Sequence, residues 1–186
     1  RDQPRSRGLG DVYKRQGMTS FALGTDTKAY RIITSHRLTP ASALLTGLFY
    51  DNRLSSVNRK RPNFSNIHSE YILPSGGVLY KDTNDMRNQL CSETALRIIE
   101  EILSDFKQYY PKAEIAIIAP FRDTVRELQK NFQTPDALHN LTIETVDRIQ
   151  GMTVDYTIMY LPAWKHSFAL DVRRFNVSTS RSRTTT

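Results

Sequence analysis

A single cysteine, Cys91, stands in a chain of 186 residues. That scarcity excludes a disulfide framework and any cysteine-rich metal site, and it suits a reducing compartment. Histidine is as sparse: His36, His68, His139 and His166 are scattered, without the spacing that metal ligation requires. No apolar run approaches the roughly 20 residues that cross a bilayer, and nothing at the start resembles a signal peptide. A cytoplasmic protein with no membrane partner is the expectation. Also missing is any Gly-x-x-x-x-Gly-Lys-[Ser/Thr] run, hence the backbone cradle and lysine that grip a triphosphate. No Asp-Glu pair stands at a strand end to hold Mg²⁺, and Gly10-Asp11 with Gln16 falls in a segment set aside below.

What is present is ordinary globular composition, 39% hydrophobic and 24% charged, enough for one sizeable core. The net charge of +7 is unevenly distributed. Residues 1–16 show no apolar periodicity and read as non-native, adapter-derived sequence. They carry five Lys or Arg against two Asp, or +3, which leaves +4 for the rest. That balance permits a nucleic-acid partner without requiring one. Residues 17–186 form the domain, and Thr184-Thr-Thr186 reads as a strand beginning where the sequence stops, as in an internal piece of a longer protein.

Strands and helices alternate along that domain. Arg31-Ile-Ile-Thr34 is β-prone, and Pro40 opens a helix over 41–49 with Leu44, Leu45, Leu48 and Phe49 on one face. Residues 51–69 are polar and basic and read as an exposed loop, and Gly77-Val-Leu-Tyr80 as a short strand. Ser92 can cap a helix reaching about Tyr109, with Ala95, Ile98, Ile99, Ile102 and Phe106 as its apolar stripe. Ile115-Ala-Ile-Ile-Ala119 is apolar throughout, the pattern of a strand buried on both faces. Pro120 ends it, a helix over 123–132 follows with Val125, Leu128 and Phe132 inward, and strands return at 141–143 and 156–161. The alternation predicts an α/β layer around a mostly parallel sheet.

Ligands of open parallel sheets gather beyond the carboxyl ends of the strands. Ala119-Pro-Phe-Arg122, Thr145 to Gly151 and His36-Arg37 are all placed there by this reading. The remaining cluster is Val172-Arg-Arg-Phe-Asn-Val-Ser-Thr-Ser-Arg-Ser-Arg183, read as a terminal helix: Arg174, Arg181 and Arg183 are spaced 7 and 2 apart, and a spacing of 7 returns to the same face. It is either a solvated basic face or a phosphate site, since guanidinium forks match phosphate well.

Four segments, in order, resemble a known family. His36-Arg-Leu-Thr-Pro40 followed by Leu48-Phe-Tyr-Asp51 resembles the "YRMHP … FY" segment that opens the second RecA-like domain of superfamily 1 helicases. Ile117-Ile-Ala-Pro-Phe-Arg122 is similar to motif IV, Thr145-Val-Asp-Arg-Ile-Gln-Gly151 to motif V, and Arg174-Phe-Asn-Val-Ser-Thr-Ser-Arg-Ser-Arg183 to motif VI, "RLNVALTRAR". Ser92-Glu-Thr-Ala95 stands where the family has a Glu-Ala pair at a helix start. The branch is that of the nonsense-mediated-decay and replication nuclease-helicases, with a Gln-Gly-Met-Thr form of motif V seen in RecD-like relatives. The resemblance runs from about residue 31 to the end.

The resemblance implies a RecA-like P-loop NTPase fold, the second motor domain of an ATP-dependent helicase or translocase. ATP and Mg²⁺ would be held mainly by an N-terminal RecA-like domain absent from this sequence, so this stretch alone is expected to be inactive. Arg37 and Arg181 would reach the γ-phosphate, with Gln150, Gly151 and Arg174 in the nucleotide cleft, Gly151 for backbone clearance. Single-stranded DNA or RNA would meet Thr145, Pro120 and Phe121. Thr145 is otherwise a plain β-branched strand residue, Phe121 a core residue and Trp164 a packing residue rather than a base-stacking one. Two departures stand out: His36 replaces a tyrosine that stacks on adenine, and Thr153 replaces a glutamate. Ser178, Thr179 and Ser180 replace Ala, Leu and Thr. The alternatives are a nucleic-acid-binding module without catalysis, or a nucleic-acid-gated ATPase that does not unwind.

Overall fold

The computed structural model describes residues 33–48, 52–57, 63–67, 69–73, 76–83, 90–162 and 171–186. Their order is β1 (Thr34–Ser35), α1 (Pro40–Gly47), β2 (Ser55–Ser56), α2 (Glu93–Tyr109), β3 (Ile115–Ala119), α3 (Arg122–Phe132), β4 (Leu141–Thr145), β5 (Val154–Met159), α4 (Val172–Thr179) and β6 (Ser182–Thr185). The main sheet runs β4-β3-β5-β6 with every pair parallel, and β1 and β2 form a separate parallel pair.

β3 lies at the centre because its sequence leaves no solvent face: all five residues are fully buried. Side chains alternate along it. Ile115, Ile117 and Ala119 meet the apolar stripes of α2 and α3, while Ala116 and Ile118 turn to the opposite side. α2 follows its sequence closely. The Ser92 Oγ accepts from the Ala95 N–H at 3.1 Å, Glu93 sits in the first turn and Lys107 in the last, matching the helix dipole. Ile99, Ile102 and Phe106 are buried, each contributing roughly 1.5–3 kcal/mol by leaving water. Phe106 makes an edge contact with Phe64 at 5.0 Å and a tilted one with Tyr156 at 5.1 Å. The Tyr156 hydroxyl donates to the Tyr71 carbonyl at 2.7 Å, and burial pushes its pKa well up.

Several expectations need correcting. α1 ends at Gly47, and its inward face is Ser42, Ala43, Thr46 and Gly47 rather than the leucines. Leu44 and Leu48 are 76% and 64% exposed, and Phe49 lies outside the described residues. The reason is close approach: α1 packs on α4, and the Ser42 Oγ reaches the Thr184 carbonyl at 3.3 Å, which leaves no room for leucine. The 51–69 stretch is not wholly exposed, since Phe64 and Ile67 join the core beside Phe106. The strand expected at 31–34 is seen as Thr34–Ser35, with Arg31 and Ile32 outside the described residues. Gly77 makes only an isolated parallel bridge, to Thr185, although the Leu79 N–H also reaches the Thr186 carbonyl at 2.8 Å. α4 stops at Thr179, so Arg181 and Arg183 do not continue the helix of Arg174. Residues 1–16 and Trp164 are outside the described residues.

Candidate functional site

The residues singled out from the sequence divide between the two ends of the sheet. At the carboxyl end, Ala119 and Thr145 are register partners. Pro120 and Phe121 follow directly, both half-buried, and Phe121 is the N-cap of α3 with no side-chain capping bond. The Thr145 carbonyl accepts the N–H groups of Arg148 at 3.0 Å and Ile149 at 3.1 Å, which turns the chain sharply at the strand tip.

β4 and β5 are both parallel to β3 yet no helix joins them, so residues 146–153 must descend from the carboxyl end to the amino end. Thr145 is level with Ala119, whereas Tyr156 is level with Ile115, so the descent to Val154 covers roughly 20 Å of strand length. Val146 and Ile149 on this connection are buried and pin it down. Gln150 and Gly151 are exposed on it. Gly151 has φ +93, which favours glycine, but a Cβ there would meet nothing within 4 Å. Backbone conformation, not clearance within this chain, is what demands glycine at that position.

Arg37 follows the carboxyl end of β1, as the sequence reading placed it, but its guanidinium meets the start of β5. The Arg37 Nη1 donates to the Thr153 Oγ1 at 3.0 Å. The next residue, Val154, donates its N–H to the Arg181 carbonyl at 3.1 Å. Segments distant in sequence therefore meet at two adjacent residues, because β5 and β6 are neighbours and the descent ends beside them. Arg181 does not extend straight outward: its Nε donates to the Val177 carbonyl and its Nη2 to the Ser180 Oγ, both at 2.9 Å. Those bonds close the end of α4 with a cation, where the helix dipole favours one. Arg174 lies at the other end of α4, its Nε 4.0 Å from the Asp147 Oδ1. His36 is exposed beside Arg37.

Arg183, part of the same sequence cluster, is structural. Its Nη1 donates to the Asp155 Oδ1 at 2.6 Å and the Glu114 Oε2 at 2.8 Å, tying together the starts of β3, β5 and β6. The hydrogen bond to Glu114 raises its pKa further, so the charge is permanent. The pair is partly exposed and screened. We expect Arg183→Ala to cost about 1–2 kcal/mol in urea unfolding.

A basic cleft escaped the sequence reading. Arg122, Arg126, Gln129, Glu144, Thr145 and Arg148 line it, between α3 and the β4 edge. Arg122, Arg126 and Gln129 recur at helical spacing, a signal the apolar pattern on the other face of α3 overshadowed. Arg126 pairs with Asp123 at 3.1 Å and Arg148 with Glu144 at 3.3 Å, so much of the positive charge is already balanced.

Among the described residues no helix is long and apolar enough to cross a membrane. No curated protein matches the chain. Residues 20–186 match a protein family described as an AAA domain, which is found in superfamily 1 helicase-like proteins. A match over most of the sequence, joined to a parallel sheet flanked by helices, has a plain consequence: the chain belongs to this AAA domain family and is a helicase-type RecA-like domain.

Proposed function

We propose that this chain is the second motor domain of a superfamily 1, ATP-dependent helicase or translocase, of the branch that its motifs resemble. The observation carrying the reading is the meeting of Arg37, Thr153 and Arg181 at one sheet end, while Thr145, Pro120 and Phe121 occupy the other. One descending segment, 146–153, joins the two.

The donor set fits a nucleoside triphosphate bound in a neighbouring RecA-like domain. Arg37 and Arg181 are guanidiniums, which meet phosphate oxygens with paired donors. Mg²⁺ would be held, with the nucleotide, mainly by the neighbouring domain. Bound there, the triphosphate would supply the cleavable bond, and this chain would supply positive charge where charge develops. Gln150, Gly151 and Arg174 would border the same cleft. At the carboxyl end, the Thr145 hydroxyl and the ring of Phe121 would meet single-stranded DNA or RNA, whose phosphates accept hydrogen bonds and whose bases stack. Closure of the two domains around nucleotide would then move one strand contact relative to the other.

The test is ATP turnover by the intact gene product with and without single-stranded nucleic acid. Strand-stimulated hydrolysis is expected, and Thr145→Ala should weaken strand binding about ten- to hundredfold, the range for one hydrogen bond to a charged group. Strand binding with no hydrolysis under any condition would replace this reading with that of a binding module. Hydrolysis without strand displacement would leave a nucleic-acid-gated ATPase.

A further inference from the structure

The basic cleft between α3 and the β4 edge already holds an anion of its own. Arg122, Arg126 and Arg148 line it, and among the described residues Glu144 is the one carboxylate in its wall. Both oxygens of that carboxylate are engaged. The Glu144 Oε2 accepts the Thr145 N–H at 3.2 Å, and its Oε1 accepts from the Arg148 Nη1 at 3.3 Å. A backbone N–H and a guanidinium converging on two oxygens form the donor set that also meets phosphate. Glu144 thus fills from within the place that an external phosphate would take.

Strand order explains why that place exists. Among the described strands β4 is an edge, paired on one side only, with β3. Val146 donates its N–H inward, to the Ala119 carbonyl at 3.3 Å, which leaves the Thr145 N–H facing the open edge. The Gln129 Nε2 donates to the Ile143 carbonyl at 3.0 Å, tying α3 to the same edge and fixing the opposite wall. On that wall the Arg122 guanidinium makes no hydrogen bond or ion pair with any described residue. Arg126 pairs only with Asp123, and both side chains are exposed.

The internal pair is weak enough to be displaced. The Arg148 side chain is 66% exposed, and solvent screens such a pair strongly. A phosphodiester carries the same unit charge as Glu144. It would also gain Arg122 and Arg126, neither of which bonds Glu144, and the Thr145 hydroxyl on the same wall. A strand suits the cleft better than a nucleotide, because Arg37 and Thr153 meet at the far end of the 146–153 descent. Resting on the strand contact given to Thr145 above, we infer that Glu144 is a built-in competitor of the single strand. Its carboxylate occupies the Thr145 N–H and the Arg148 guanidinium until a strand phosphate displaces it.

The experiment follows binding of labelled oligothymidylate and oligouridylate to the intact protein by fluorescence anisotropy, across a salt series. It compares wild type, T145A, E144Q, R148Q and E144Q/R148Q, with E127Q as the charge control, since Glu127 pairs with Lys130 and does not line the cleft. E144Q keeps an oxygen for the Thr145 N–H but releases the Arg148 charge. Strand affinity should rise about two- to tenfold, the worth of a screened competing pair. The log–log salt slope should steepen by about 0.7, for one more cation available to phosphate. E127Q should change neither. The gain should vanish in E144Q/R148Q relative to R148Q, because the two residues act through one pair. KM for ATP should stay at the wild-type value in E144Q.

Wild-type affinity in E144Q beside a weakened T145A would overturn the competitor and leave the strand contact standing. Equal gains in E144Q and E127Q, or a gain that survives in E144Q/R148Q, would also overturn it, as an effect of overall charge. A lowered KM for ATP with unchanged strand affinity would give the cleft to nucleotide phosphate and overturn its assignment to the strand. No strand binding by the wild type at any salt concentration would remove the strand reading, and this inference with it. Should E144Q fail to fold, R148Q decides: its salt slope should flatten by about 0.7, and a wild-type slope would overturn the role of Arg148.

Discussion

Replacing Arg181 by alanine in the intact protein is expected to reduce nucleic-acid-stimulated ATP turnover by about 10³–10⁵, the range an arginine on developing phosphate charge can supply. ATP binding should persist, since most contacts to the nucleotide would come from the other domain. The substitution also removes a helix cap, because the Arg181 Nε and Nη2 bond the Val177 carbonyl and the Ser180 Oγ. That second loss is small, about 0.3–1 kcal/mol for a cation at a helix C-terminus, and shifts the melting temperature by only a few degrees. The two effects separate cleanly in one variant set. Arg181→Lys retains a cation for the helix end but not the planar fork, so it should regain stability without regaining turnover. Unchanged hydrolysis in Arg181→Ala would leave Arg181 as a helix cap only.

The largest expected stability effect lies at Gly76, a residue with no chemistry of its own. Its φ is +75, a region that costs other L-residues about 1–2 kcal/mol. A Cβ there would come within 2.4 Å of the Thr39 Cγ2, 2.6 Å of the Thr39 Oγ1 and 2.7 Å of the Thr184 carbonyl. Overpacking of that kind adds about 1–3 kcal/mol. Gly76→Ala should therefore lose about 2–5 kcal/mol in urea unfolding, a large share of the roughly 5–15 kcal/mol typical of a domain. Adding Thr39→Ser removes the methyl group at 2.4 Å and should recover part of the loss. No recovery would mean that backbone conformation, not contact with Thr39, sets the cost. Because Thr39 is two residues from Arg37, surviving Gly76→Ala protein should also show impaired turnover.

Sequence alone determined the elements whose signals are local. α2 shows its cap at Ser92 and its stripe at Ala95, Ile99, Ile102 and Phe106, since helix periodicity and capping need no distant partner. The central strand 115–119 was legible because a run with no polar face has one stable place in a parallel sheet. The family resemblance likewise rests on ordered local motifs, and the AAA domain match over residues 20–186 agrees with it at the level of the fold.

Other features depended on the path of the chain through space. The leucines of α1 formed a plausible inward face, but the approach of α1 to α4 and to the Thr184 carbonyl selected its small residues instead. Arg174, Arg181 and Arg183 look like one cluster in sequence. The end of α4 at Thr179 sends them to an ion pair with Asp147, a helix cap and a bracket across three strands. Arg37 follows the carboxyl end of β1 as expected, yet the 146–153 descent carries the chain away from Thr145 and delivers Thr153, just before β5, to the Arg37 guanidinium. Sequence determined which residues are chemically suited to phosphate. Only tertiary structure decided which of them meet, because a hydrogen bond across 116 residues depends on strand order and loop direction, and neither is written in any local pattern.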